Sequence, residues 1–171
     1  PFFDFLPPSI WLFGNSELLL AHSFLGDTEA VAALSGRIQE RTIREQNHFH
    51  NGYAHFNRGM SSLISGKPYK ALVHGREAIE SAQRSKSPIP EQMAAFLIGL
   101  ALSELDRKEE AMEHLSNWVS WWEKNGFHLF AFAGAVEIAG LQLKEGRKEE
   151  ARESYVKALS FLPPGEEAPV V

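Results

Sequence analysis

The feature that most constrains the fold of this chain is an internal repeat with a period of 40 residues. Four similar junctions are centred on positions 26, 66, 106 and 146, with glycine at three of them and Asp106 at the other. Alanine follows the last three junctions by five residues each time, at Ala71, Ala111 and Ala151. A fixed period of this length is typical of stacked supersecondary units, each of which buries its apolar face against its neighbours.

Apolar residues on both sides of each junction recur at helical spacing, which predicts pairs of amphipathic helices joined by tight turns. Glycine at a junction suits the left-handed conformation that ends a helix, and aspartate is a poorer substitute. We therefore expect an all-α fold, a right-handed superhelical stack of about four antiparallel helical hairpins. The predicted helices cover about 10–25, 28–45, 50–65, 68–84, 90–105, 108–124, 128–145 and 148–161.

Small residues precede the last three junctions by seven positions, at Gly59, Gly99 and Ala139. Glycine inside a helix costs about 1 kcal/mol relative to alanine, so a packing reason is expected, and we predict that helical arms cross there. Together these positions define hairpins at about 10–45, 50–84, 90–124 and 128–161. We expect residues 1–162 to form a single domain and residues 163–171 to be a tail or linker stub.

Composition excludes several classes of function. A net charge of -5 argues against a direct nucleic-acid contact, which needs clustered Lys and Arg. The chain has no cysteine, hence no disulfide framework and no thiolate metal site, and this fits a cytoplasmic location. No apolar run approaches the ~20 residues of a membrane-spanning helix, so we expect no membrane contact. Because the sequence starts at Pro1 and not at Met, we expect it to be a segment of a larger protein.

The repeat resembles the tetratricopeptide repeat family over about Gln46 to Leu162. Two sets of residues carry the resemblance: Gly59, Gly66, Ala71 and Ala78, and then Ala139, Gly146, Ala151, Tyr155 and Ala158. The first hairpin matches less well. A period of 40 residues, longer than the usual ~34, is similar to the helical arrays of MalT-like, LuxR-type ATP-dependent transcriptional regulators. In such proteins, the resemblance implies, the array senses an effector or a protein partner.

The resemblance also implies that the first helix of each hairpin lines a concave groove. Carried onto this sequence, the groove residues are Tyr53, Phe56, Asn57, Arg58, Met60, Met93, Phe96, Leu97, Leu100, Val136 and Glu137. This largely apolar lining suits an amphipathic helix, an extended apolar peptide or a small apolar effector. Alternatively, these side chains are core, covered by the second helices or by an apolar flap from Phe2 to Leu6.

Arg58 stands out because the equivalent positions of later repeats hold Ile98 and Ile138. A guanidinium there needs a partner or a route to solvent. It either orients a ligand in the groove or bonds across to the first hairpin, and the sequence leaves both open. Arg37, Arg41 and Arg44 form a stripe on one helix, which we interpret as a solvated face paired with glutamates.

Two other groups invite a binding hypothesis. His48, His50 and His55, with His22 and His74 elsewhere, could hold a metal, but their spacing on one helix is unfavourable, so we predict no metal ligand. Trp118, Trp121 and Trp122 could stack on a ligand ring. We expect these rings to be mainly core, with Trp122 as the exposed member.

No catalytic motif is present, so we predict no enzymatic activity and no cofactor. The favoured hypothesis is a non-catalytic interaction or effector-sensing module of a larger cytoplasmic regulatory protein. Its partner would be a protein, a peptide or a small apolar effector. The alternative is a structural array that associates with copies of itself, for example as a homodimer, and has no free ligand site.

Overall fold

A computed structural model of the protein describes residues 7–163. Over that range the chain forms eight α-helices and no strand, which confirms the predicted all-α class. The helices are α1 (Pro8–Phe24), α2 (Thr28–Arg44), α3 (His48–Ile64), α4 (Pro68–Ser85), α5 (Pro88–Glu104), α6 (Lys108–Lys124), α7 (His128–Lys144) and α8 (Lys148–Ser160). Their ends agree with the predicted ends to within two residues.

Every turn between these helices has one residue with a left-handed backbone, with φ between 50° and 78°. These residues are Gly26, Gln46, Gly66, Lys86, Asp106, Gly126 and Gly146. They recur every 20 residues, so the connectors between the predicted hairpins have the same φ signature as the turns within them. The 40-residue sequence period therefore comprises two helix-and-turn units of equal length.

Backbone hydrogen bonds across these turns end the helices. The amide of Asp27 donates to the carbonyl of His22 at 3.0 Å, and the amide of Lys67 donates to the carbonyl of Ser62 at 2.8 Å. Bonds of this kind run from an amide to the carbonyl five residues earlier, and they use carbonyls that a helix end leaves unpaired. The Asp27 side chain then accepts from the amide of Ala30 at 3.0 Å and caps the next helix.

The chain divides into two compact units, one up to Leu105 and one from Asp106 onward. In the first unit each of α1 to α4 packs against the helix that follows it, and α3 also packs against both α1 and α5. Part of its core is the cluster Trp11, Leu12, Leu19, Val31, Leu34, Ile38 and Ala54. In the second unit α6 packs against α7, and α7 against α8. The division falls inside the predicted hairpin 90–124, and a single domain over 1–162 stays a prediction.

The small residues of α3 accommodate neighbours from two different helices. A Cβ added to Gly59 would lie 2.2 Å from Leu97 Cδ2, so this glycine makes room for a side chain of α5. A Cβ added to Gly52 would lie 3.3 Å from the carbonyl oxygen of Ala78 in α4. Gly59 was predicted to mark the crossing of a hairpin's own arms, whereas its nearest contact is with the following hairpin.

Two predicted segments lie outside the described residues: the apolar flap from Phe2 to Leu6, and all of the tail 163–171 except Pro163. Within residues 7–163, no helix combines the length and the apolar character that crossing a membrane requires.

Candidate functional site

The predicted groove residues differ in their exposure. Phe56, Asn57, Met93 and Leu97 are buried. Partly exposed are Tyr53, Arg58, Met60, Phe96, Leu100 and Val136, and Glu137 is exposed. For the four buried residues the core alternative holds, so they are corrected from groove to interior. The partly exposed groove residues of α3 and α5 lie on two helices that pack against each other.

Asn57 fastens two helices together and does not face a partner. Its side chain is fully buried, and its Nδ2 donates a hydrogen bond of 2.9 Å to the carbonyl oxygen of Ser16 in α1. A buried polar side chain is tolerated when it is hydrogen-bonded in this way. Asn57 was predicted as a polar residue of the groove, but its role is to join α3 to α1.

Tyr53 lies on the same side of α3 as Asn57, and its hydroxyl interacts with Glu17 of α1. Burial, together with the negative charge of Glu17, raises the pKa of the Tyr53 hydroxyl from 10.0 to about 12. The aromatic ring contacts Phe56, with ring centroids 5.9 Å apart. Tyr53 is therefore packed against residues of this chain, and only part of its side chain is accessible to a partner.

Tyr53 is expected to ionise at about pH 12. Because its pKa is raised in the folded protein, the stability it contributes is complete below pH 10 and is lost as the pH rises towards 12. An ultraviolet absorbance titration of tyrosinate should show this late step, and Tyr53→Phe should remove it. Glu17→Gln should move the step to lower pH. A late step that survives in Tyr53→Phe would contradict the assignment.

Arg58 forms the bond across to the first hairpin, which is one of the two roles left open by the sequence. Its Nη1 donates to Gln39 Oε1 at 2.9 Å, which joins α3 to α2 of the first hairpin. The partner is an amide and not a carboxylate, so the positive charge of Arg58 is not neutralised by this bond.

Arg58 also lines a pocket of about 200 Å³ between α2, α3 and the start of α4. The pocket carries three permanent cations, Arg58, Lys67 and Lys70, and the imidazole of His74. Its hydroxyl groups come from Thr28, Ser35, Ser61, Ser62 and Ser65. Among residues 7–163, no carboxylate lines it. This balance of groups favours an anion.

The pocket serines have hydrogen-bonding capacity to spare. Ser62 Oγ donates to the carbonyl of Arg58 at 2.9 Å, and Ser65 Oγ donates to the carbonyl of Ser61 at 2.8 Å. Helix carbonyls of this kind already accept a backbone amide, so the hydroxyl bond is dispensable. The hydroxyls can therefore turn and donate to an oxygen bound in the pocket.

The arginine stripe on α2 differs from this pocket, because its charge is partly neutralised. Arg41 Nε donates to Glu45 Oε1 at 2.8 Å, and its guanidinium lies 4.5 Å from the centre of the Trp11 ring. Glu40 and Arg44 flank the same surface. The predicted pairing with glutamate is confirmed for Arg41, and this face is less suited to an anion than the pocket.

A histidine cluster lies where α3 packs against α4. His74 Nδ1 lies 2.9 Å from Glu77 Oε2, and His55 Nδ1 lies 3.0 Å from the same oxygen. Both imidazoles are buried, whereas the Glu77 side chain is 44% exposed. The sequence analysis named both His55 and His74 but judged them by spacing along one helix, and it did not include Glu77, which lies beside His74 on α4.

Electrostatics in this cluster favour neutral imidazoles and a charged carboxylate. Burial lowers the pKa of His55 and of His74, against the opposing effect of Glu77. Partial burial acts to raise the pKa of Glu77, but the hydrogen bond from His74 and the nearby positive groups outweigh it and lower that pKa. The cluster thus presents a carboxylate oxygen and two neutral nitrogens.

The tryptophan cluster belongs to the interior of the second unit. Trp118 and Trp122 are 1% and 2% exposed, and Trp121 is the partly exposed ring. Trp118 Nε1 donates to the carbonyl of Phe130 at 2.8 Å, and the Trp122 ring stacks on the Phe130 ring at 4.5 Å. The core interpretation holds for Trp118, but the prediction that Trp122 is the exposed member is wrong.

Comparisons with known protein families, with curated proteins and with solved structures found no match to this chain.

Proposed function

We propose that this chain is a non-catalytic helical-repeat binding module of a larger cytoplasmic regulatory protein, and that the pocket between α2, α3 and α4 holds an anionic group of its partner or effector. The observation that carries the proposal is the pocket's charge: the described part of the chain lines it with three permanent cations and no carboxylate, in a chain of net charge -5. A cluster of positive charges in a protein of negative net charge raises the local concentration of an anionic ligand.

The cations are arranged to receive a ligand. Gln39 orients Arg58 through one hydrogen bond, which leaves most of the guanidinium's five donors for other acceptors. Neither Lys67 nor Lys70 forms an ion pair with any residue in the range 7–163. An anion with several oxygens, such as a phosphate or a carboxylate, could accept charge-assisted bonds from Arg58 and these lysines.

The size of the pocket indicates what enters it. A volume of about 200 Å³ is below the ~300 Å³ at which pockets for complete drug-sized ligands begin. The pocket therefore takes one anionic group, and the rest of the partner lies on the surrounding surface. A peptide or protein segment that carries a phosphate or a terminal carboxylate fits this requirement.

The architecture also supports a second candidate, an apolar segment bound along the first helices of a tetratricopeptide-like array. Helix α3 packs against both α1 and α5, as first helices of successive hairpins do in a right-handed solenoid of about four hairpins. Tyr53, Met60, Phe96 and Leu100 remain partly exposed on α3 and α5. Such a face suits an amphipathic helix.

Two open glycines give a matched test of the pocket. A Cβ added to Gly36 or to Gly14 would meet no atom of the described residues within 4 Å, but only Gly36 lines the pocket. Fluorescent peptides with a phosphoserine or a free terminal carboxylate, and neutral versions of each, would be titrated into the full chain and followed by anisotropy. We expect Gly36→Leu and the double variant Lys67→Glu, Lys70→Glu to weaken binding of the anionic peptides by about tenfold or more, with Gly14→Leu unchanged.

Three outcomes would contradict this proposal. Equal affinity for anionic and neutral peptides would remove the role of the cations. Full binding to Gly36→Leu would place the ligand outside the pocket. A concentration-dependent dimer in sedimentation velocity, with no peptide binding, would favour the self-associating array.

A further inference from the structure

We propose that His55, His74 and Glu77 form a binding site for a divalent transition-metal ion, with zinc the best fit. The site goes beyond the proposed function, because its ligands are a buried imidazole pair and a carboxylate, whereas the pocket acts through its permanent cations. His55 comes from α3, and His74 and Glu77 come from one face of α4, three residues apart.

The distances from the Glu77 oxygen to the two imidazole nitrogens are those of a metal site. Two atoms that each lie about 2.0–2.1 Å from one ion, at angles between about 90° and 110°, are roughly 2.9–3.4 Å apart. Glu77 Oε2 lies 2.9 Å from His74 Nδ1 and 3.0 Å from His55 Nδ1, and both distances fall in this range. The donor atoms of the three residues all lie within 4.8 Å of one another, so an ion would draw the two imidazoles together around the carboxylate oxygen.

The contact between His55 and Glu77 does not make a good hydrogen bond. His55 Nδ1 is buried and has no hydrogen-bond partner in the described part of the chain, although Glu77 Oε2 is 3.0 Å away. A buried nitrogen whose hydrogen bond is poorly formed is unfavourable, and such groups call for a functional reason. A metal ion between the two atoms would use the nitrogen lone pair and the carboxylate together.

The chemistry of the set matches zinc. Two neutral imidazoles and one carboxylate are the three protein ligands of many zinc centres that leave a fourth position open. Glu77 is 44% exposed, so water or an exogenous ligand could reach that position. Imidazole with one carboxylate also suits neighbouring ions of the transition series, whereas calcium and magnesium prefer oxygen ligands.

Nearby positive charge limits the affinity. Arg58 lies close enough to act on both imidazoles, and Lys70 acts on His74. A cation at the site is repelled by these groups. Removing the charge of Arg58 should therefore strengthen metal binding, an effect that a purely structural cluster would not show.

Isothermal titration calorimetry of zinc chloride into the chelator-treated full chain tests the site. We expect one equivalent to bind, about tenfold or more weaker in Glu77→Gln and in His74→Gln, and tighter in Arg58→Gln. Glu77→Gln changes a partly exposed side chain, so it should fold as the parent does. His114→Ala is the control, because it removes a histidine that lies outside the cluster and should leave binding unchanged.

Nuclear magnetic resonance identifies the ligand atoms independently of affinity. Zinc should shift the Nδ1 resonances of His55 and His74 and leave those of His114 and His128 in place. The proposal is overturned if no saturable binding occurs, if Glu77→Gln and His114→Ala bind zinc equally, or if the shifted nitrogens belong to other histidines. None of these outcomes depends on peptide binding in the pocket, so the two proposals can fail separately.

Discussion

Gly134→Val is expected to destabilise the second unit by about 3 kcal/mol, because it forces a side chain into a filled position. A Cβ at Gly134 would lie 2.3 Å from Trp118 Cδ1 and 2.8 Å from Val119 Cγ2. Trp118 cannot easily move away, since it is 1% exposed and its Nε1 is bonded to the carbonyl of Phe130. Overpacking against a fixed indole ring leaves helix α7 displaced from α6.

The same helix provides the control. Gly140 also lies in α7, but a Cβ added there would meet no atom of residues 7–163 within 4 Å. Gly140→Val should therefore keep or slightly raise stability, because valine has a higher helix propensity than glycine. Urea denaturation followed by tryptophan fluorescence would compare the two variants. Equal midpoints would show that Gly134 does not mark a tight contact.

Asn57→Asp is expected to cost about 3 kcal/mol at pH 7, because it places a carboxylate in a fully buried position. The hydrogen bond to the Ser16 carbonyl needs a donor, which an ionised carboxylate lacks. Burial raises the pKa of such a carboxyl group, so its ionised form is unfavourable in the fold. The loss of stability should therefore shrink as the pH falls through that raised pKa.

Asn57→Leu separates the effect of charge from the effect of the lost bond. Leu97 occupies the equivalent position 40 residues later and is fully buried, so the fold accepts leucine there. The carbonyl of Ser16 keeps its place in the hydrogen-bond ladder of α1, and we expect a smaller loss that does not vary with pH. Melting temperatures of both variants between pH 5 and pH 8 would test this. A loss of the same size in both, without pH dependence, would exclude charge burial as the cause.

The candidate sites were predicted less well than the fold. Phe56 and Tyr53 lie three residues apart on α3, but Phe56 is buried and Tyr53 is partly exposed. Trp121 and Trp122 were ranked in the wrong order of exposure. In each case the pattern identifies an apolar side chain, but exposure depends on which other helix covers it.

The geometry of the proposed metal site cannot be derived from residue spacing along one helix. His55 and His74 are 19 residues apart in the sequence, and their nitrogens meet the same Glu77 oxygen only because α3 and α4 pack together. The spacing of His74 and Glu77 on α4 was a weak signal, since side chains three residues apart share a helix face. The third proposed ligand, His55, comes from a different helix, and only the packing of α3 against α4 brings it to Glu77.

The sequence by itself determined the helices and their ends, since apolar periodicity and turn residues such as Gly66 and Asp106 act through bonds only a few residues long. Tertiary structure alone decided that Asn57 joins α3 to α1, that Arg58 bonds to Gln39, and which cations share a pocket. These outcomes depend on how side chains from different helices fit together. A linear pattern contains no information on those distances until the helices are packed.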